Sequence, residues 1–150
     1  MYSTKDVLLK KLQHYCAYQD RCQFEVEQKL KQLGADQEYA DQIFMDLIRD
    51  DYLNEERFAK AYARGKFRIH HWGRNKIISH LKSKFISAPL IKIGILEINE
   101  EDYLAELDRQ IKKAFQEKKD IHKTIQFLIG KGYESELVFE KTADLKRLLK

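Results

Sequence analysis

Between its turn residues this chain repeats apolar side chains at three- and four-residue spacing, and the pattern itself recurs after 51 residues. Leu8, Leu9, Leu12, Tyr15 and Cys16 form one stripe, and Val26, Leu30 and Leu33 form a second, closed by Gly34. Tyr39, Ala40, Ile43, Phe44, Leu47 and Ile48 make a third behind Asp36, a residue type suited to capping a helix. Shifted by 51, Val26, Leu30, Ala40, Phe44, Leu47 and Leu53 fall on Ile77, Leu81, Ile91, Ile95, Ile98 and Leu104. A shift of 98 places Gly34 on Gly132, Leu30 on Leu128, Ala40 on Val138 and Leu47 on Leu145. Further helix starts are marked by Asn54 before Glu55-Glu56, Ser87 before Ala88-Pro89, Asn99, Asp120 and Ser135. The pattern predicts an all-α chain of about nine helices, with strand signals nearly absent. A three-helix unit of this size buries its apolar face poorly alone, so the units are expected to stack as tandem repeats in an elongated, curved array. The predicted units, within one chain of residues 1–150, are 5–69, 70–118 and a shortened third, 119–150.

Composition narrows the class. A hydrophobic content of 43% with one proline argues for a packed chain, and 35% charged residues require much solvated helix surface. No apolar run approaches the roughly 20 residues that span a bilayer, and the segment MYSTKDVLLKKL lacks the pattern of a secretory signal. Cys16 and Cys22 lie six residues apart, matching no zinc spacing, and are expected as reduced thiols in a cytoplasmic protein.

Catalytic patterns are missing from the sequence: it has no P-loop, GxGxxG, GxSxG or HExxH. His70 and His71 point about 100° apart on a helix, which suits shared metal ligation poorly. Asp50-Asp51, Glu55-Glu56 and Glu100-Glu101-Asp102 flank helix boundaries, where capping and the helix dipole account for them. The expectation is a protein that is no enzyme and uses neither metal nor cofactor.

Charge points outward instead. From Arg57 to Leu96, forty residues contain no Asp or Glu but ten Lys and Arg. The other 110 residues hold 18 Lys and Arg against all 24 Asp and Glu. A basic middle in an acidic frame suits a polyanion or an acidic protein surface. At about 100° per residue, Arg57, Lys60, Arg64 and Arg68 share an arc of roughly 80°, with Phe58, Tyr62, Gly65 and Ile69 expected on the buried side. Arg74, Lys76 and Lys84 extend the basic set. Trp72 has two readings, a stacking platform for a base or a packing anchor beside Gly73.

The segment Tyr52-Leu53-Asn54-Glu55-Glu56-Arg57-Phe58-Ala59 resembles the signature of the RecX regulatory proteins, roughly Tyr-Leu-Asp-Asp-Glu-Arg-Phe-Ala. Arg21-Cys22, Glu25, Lys29-Leu30 and Gly34 are similar to that family's first-repeat pattern. Gly73, Ile77, Leu81, Lys84 and Ile86 resemble its second, and Leu128, Lys131-Gly132-Tyr133 and Leu137 its third. Two positions depart from the pattern. Cys22 stands where Ser is usual, which is expected to weaken that helix cap or move it to Asp20. Phe85 stands where Gly is usual, which is expected to remove a favoured C-cap.

The resemblance implies a bacterial cytoplasmic protein that binds the RecA recombinase filament near its DNA. It further implies inhibition of RecA ATPase and strand exchange, restraining the SOS response. A monomer docking through Arg57, Lys60, Arg64, Arg68, Arg74, Lys76 and Lys84 is the expectation, with no membrane partner. The alternative is a direct DNA-binding protein that acts by occupying single- or double-stranded nucleic acid.

Overall fold

Helix caps and one recurring turn set the element boundaries. The computed structural model describes residues 4–148, and among them are nine α-helices and no strand. These are α1 (Lys5–Tyr18), α2 (Gln23–Gln32), α3 (Gln37–Arg49), α4 (Glu55–Arg68), α5 (Arg74–Ser83), α6 (Ala88–Ile95), α7 (Glu100–Lys118), α8 (Ile121–Gly130) and α9 (Ser135–Leu148). Asp36, Asn54, Asn99 and Asp120 each accept a hydrogen bond from the backbone N–H three residues on, at 2.9–3.1 Å. Each satisfies a donor that the helix itself leaves orphaned. Ser87 sits at the N-cap of α6 without a side-chain bond, with proline in the first turn. No described helix is long and apolar enough to cross a membrane.

The sequence repeat is a repeated helix-turn-helix. The N–H groups of Ala35, Ile86 and Tyr133 donate to the carbonyls of Leu30, Leu81 and Leu128 at 3.0–3.2 Å, closing the same turn three times. The preceding residue is left-handed each time: Gly34 at φ 74°, Phe85 at 62° and Gly132 at 105°. Phe85 therefore keeps the turn that its lack of glycine was expected to remove. An L-residue there costs on the order of 1–2 kcal/mol, and its ring partly offsets this by packing 5.2 Å from that of Phe24. The cap of α2 also stays in place. Cys22 remains the N-cap residue, and the Glu25 carboxylate accepts from its N–H at 3.2 Å. Asp20, the expected substitute, is held by Arg57 instead.

Packing groups the helices as α1–α3, α4–α6 and α7–α9. Thus α4 and α7 head units whose expected boundaries, 70 and 119, excluded them. The offset was legible from the second and third helices because those keep register; among the first helices α1 and α4 match at 14 residues each and α7 departs with 19. The first unit has its own core around Leu12, Val26, Ile43 and Leu47. The second and third share one, containing Phe58, Ala63, Ile77, Leu81, Tyr103, Leu107, Leu128 and Val138.

The buried side of α4 is not the one expected. Phe58 is buried as anticipated, but Ala59, Ala63 and Phe67 complete the core face, while Ile69 is 71% exposed. The cause is α6, which crosses α4 at its smallest residues. A Cβ added to Gly94 would stand 2.7 Å from the Ala59 carbonyl oxygen, so the backbones meet at the alanine face. Gly65 and Ile69 are left lining a cleft against the first unit, together with Asp20, Glu25 and Tyr62.

The two junctions between units are built differently. Between the second and third, the Gly73 and Asn75 N–H groups donate to the Lys131 and Gly132 carbonyls, both at 2.9 Å. A Cβ on Gly73 would lie 2.2 Å from Gly132 carbon, and one on Gly132 would lie 2.4 Å from Lys76 Cβ. Only glycines allow this backbone-to-backbone seat. Between the first and second units, side chains carry the contact: Phe24 on Phe85, Lys84 on Glu25 at 3.4 Å, and the Arg57 clamp described next.

Candidate functional site

Most of the cations expected to face a partner have partners inside the fold. Arg57 donates from Nε to Asp20 at 2.6 Å, from one terminal nitrogen to Asp51 at 3.1 Å, and from the other to the Asp51 and Tyr52 carbonyls. These bonds reach from the first helix of the second unit back into the first. Arg64 pairs with Glu97 at 2.6 Å, and Lys60 lies 3.9 Å from Glu56 one turn earlier. Arg74 is largely buried, bonded to Glu134 at 3.0 Å and to Glu100, with its guanidinium 3.8 Å from the centre of the Tyr103 ring. The same tyrosine hydroxyl accepts the Arg74 N–H at 3.0 Å and donates to Glu134, so this network ties the start of α5 to the third unit. Lys84 pairs with Glu25. Five of the ten cations in the acid-free window are therefore paired with acids from outside it.

Among the window's other cations, Lys66 and Lys76 converge on Trp72, and Arg68, Lys82 and Lys92 are exposed. The half-buried Trp72 ring has the Lys76 ammonium 4.5 Å and the Lys66 ammonium 4.9 Å from its centre, on side chains from α5 and α4. The His80 and His70 rings lie 4.6 and 6.0 Å away. Trp72 also packs against the shared core, so it is an anchor and an available aromatic surface at once. His80 is held below the usual histidine range, first by partial burial and then by Lys76, Lys66 and Lys84. Its charged neighbours are all cations, which makes this corner electropositive. Arg68 is exposed one turn beyond Arg64. Lys76 and Arg68 were in the expected set, and Lys66 was not. Its wheel position lies outside the arginine arc, and only the turn carrying Trp72 back across α4 brings it into the group.

A second polar group sits beneath this face. His71, at φ 59°, places Nδ1 2.9 Å from the buried Glu106 carboxylate without an aligned hydrogen bond. Burial opposes ionisation of Glu106, but the Arg109 guanidinium and His71 hold it below the usual carboxylate range. The Tyr133 hydroxyl donates to the His71 carbonyl at 2.8 Å, fixing the strained turn to the third unit. Cys16 and Cys22 are free and buried, and burial pushes both thiols up to about 11.

Known proteins share this architecture and parts of this sequence. Residues 54–94, which carry α4, α5 and α6, match the family described as RecX, second three-helix domain. Regulatory protein RecX of Lactobacillus johnsonii is 28% identical over 90 residues, covering 60% of this chain and 33% of that protein. Its namesake in Bacillus cereus is 24% identical over 130 residues, covering 83% and 48%. The chain is thus similar to RecX proteins, most specifically across its second three-helix unit. The solved structure of RecX from Lactobacillus salivarius superimposes with a TM-score of 0.81 at 22% identity, over 95% of this chain and 96% of that one. Another RecX crystal structure gives 0.83 at 20% identity, over 93% and 73%. The fold is thus the RecX helical-repeat fold. This RecX-like chain spans about a third to a half of the length of the curated relatives it matches. Those relatives are named regulatory proteins.

Proposed function

We propose that this chain docks on the RecA recombinase filament and inhibits its ATPase and strand exchange, thereby restraining the SOS response. The observation that carries the reading is the Trp72 corner, where Lys66 and Lys76 flank an aromatic ring beside two histidines. A planar ring between cations suits DNA held open within a filament, because bases stack on it while phosphates meet the ammonium groups. Lys60 and Arg68, on the arginine arc of α4, are further proposed contacts outside this corner. Arg57, Arg64, Arg74 and Lys84 contribute chiefly by setting the angle between units, since each is engaged by a carboxylate. Inhibition requires tighter binding to one filament state than another, because an effector shifts an equilibrium only by its differential affinity. The protein acts as a cytoplasmic monomer in this reading.

The test is RecA ATPase on single-stranded DNA, titrated with the chain at two salt concentrations. Trp72→Ala combined with Lys66→Ala and Lys76→Ala abolishes inhibition. Full inhibition by that variant refutes the face. The second reading, a direct DNA binder that works by occupation, is favoured by the same ring-and-ammonium geometry. It requires binding to naked oligonucleotide as tight as to filament, and much weaker binding to the naked strand eliminates it.

A further inference from the structure

The first unit carries a cationic cleft of its own, outside the acid-free window. Lys10, Lys11, His14, Tyr15 and Tyr18 on α1 line it with Arg21, Lys29 and Leu33, around a volume of about 590 Å³. At about 100° per residue the five α1 residues share an arc of roughly 140°, beside the Leu8, Leu12 and Cys16 stripe that faces the core. The Arg21 guanidinium lies 3.7 Å from the centre of the Tyr15 ring, with the Lys29 ammonium at 5.5 Å, so a cation-backed tyrosine forms part of the wall. Tyr18 stands at the mouth, 78% exposed.

Among the described residues no carboxylate lines this cleft. The two nearest in sequence to Arg21 are both committed elsewhere: Asp20 to Arg57 and Glu25 to Lys84. Second-unit cations therefore neutralise first-unit acids, while Lys10 and Lys11 stay exposed and Arg21 and Lys29 stay half-buried against Tyr15, Arg21 donating from Nε to the Tyr15 carbonyl at 3.0 Å. The compensation that closes the junction creates the positive cleft beside it.

We infer that this cleft is a second binding site for single-stranded nucleic acid, separate from the Trp72 corner. The ligand class follows from two features together. Four cations in a carboxylate-free wall call for a polyanion. An exposed tyrosine among them calls for a ligand with a flat π face, which a nucleobase has and an acidic polypeptide lacks. The Lys10–His14–Tyr18 stripe runs about 12 Å along the helix, longer than one phosphate group and suited to a strand.

The experiment uses the full chain with Trp72→Ala, Lys66→Ala and Lys76→Ala already in place, which removes the other face. A fluorescent oligothymidylate is titrated by anisotropy across a salt series, and a 5-iodouracil oligonucleotide is photocrosslinked and its adducts mapped. The expected results are retained binding in this background and an adduct on Tyr18. Adding Lys10→Ala and Lys29→Ala lowers the salt slope by about 1.4, at roughly 0.7 per lost phosphate contact. Tyr18→Ala, at an exposed position that leaves the fold intact, weakens binding roughly fivefold to 150-fold. Three outcomes overturn the proposal: affinity and slope unchanged in the added variants, adducts absent from Tyr18, or polyglutamate displacing the oligonucleotide as effectively as unlabelled strand. The last would identify an acidic polypeptide as the ligand.

Discussion

Replacing Arg57 with alanine separates a structural role from a binding role for the first cation of the RecX-like signature. Its pair with Asp20 is short but partly solvated, with the two side chains 38% and 31% exposed, so screening limits it to about 1 kcal/mol. Asp51 is 73% exposed and its pair contributes close to nothing. The bonds to the Asp51 and Tyr52 carbonyls, at 3.0 and 3.3 Å, add about 0.5–1 kcal/mol together after the same discount. Arg57→Ala should therefore destabilise the fold by about 1.5–2 kcal/mol, lowering Tm by roughly 3–8 °C for a chain of this length. Arg57→Lys should recover less than half of this, because one ammonium cannot bond the Asp20 carboxylate and the Asp51 and Tyr52 carbonyls at once. Thermal and urea unfolding of both variants and of Asp20→Ala provide the measurement, with the double variant Arg57→Ala/Asp20→Ala closing the cycle. A Tm within a degree of the parent, accompanied by lost RecA inhibition, would refute the clamp and return Arg57 to the partner-facing set.

Gly73→Ala should destabilise by more than about 3 kcal/mol, since the new methyl meets backbone that cannot move aside; urea unfolding measures it, and a change under 1 kcal/mol contradicts the seat on Gly132. Tyr103→Phe should cost about 1–3 kcal/mol by leaving the Arg74 N–H and Glu134 short of a partner, as read from the denaturation midpoint. With folded thiols near 11 against about 9 when exposed, Cys16 and Cys22 should react with a disulfide reagent about 100-fold more slowly than in the unfolded chain at neutral pH. His80, held low by burial and surrounding lysines, is neutral at pH 7. Its contribution to stability is complete above the unfolded histidine value of about 6.5 and is lost as pH falls through the folded one. NMR titration should show His80 protonating at lower pH than free histidine, and oligothymidylate should move that transition upward.

Much of the helix order was readable because the chain states it in local chemistry. Asp36, Asn54, Asn99 and Asp120 cap the helices they were expected to cap. The 51- and 98-residue offsets survive as Gly34, Phe85 and Gly132 in one turn geometry. Wheel geometry failed at α4 because it ranks faces by residue size. The face that α6 covers is chosen instead by how closely two backbones approach, which favours Ala59 over Ile69. Charge counting failed in a related way. A stretch without acids looked exposed, but Asp20, Glu25, Glu97, Glu100 and Glu134 reach into it from 26 or more residues away. Only contacts across units distinguish a spent cation from an available one. The cleft by Tyr18 was overlooked for the same reason, since its local acids become unavailable only on folding.

The difference between the two junctions gives the array an uneven stiffness. Where Gly73 sits on Gly132, paired amides couple the second and third units, and shearing them breaks backbone hydrogen bonds. Where Phe24 meets Phe85, the units touch through rings and long charged arms, whose torsions yield at much smaller cost. Bending strain therefore gathers at the first joint, and the remaining two-thirds moves as one lever. A molecule with a single compliant joint can match its pitch to whatever surface it lies along while holding one end in fixed shape.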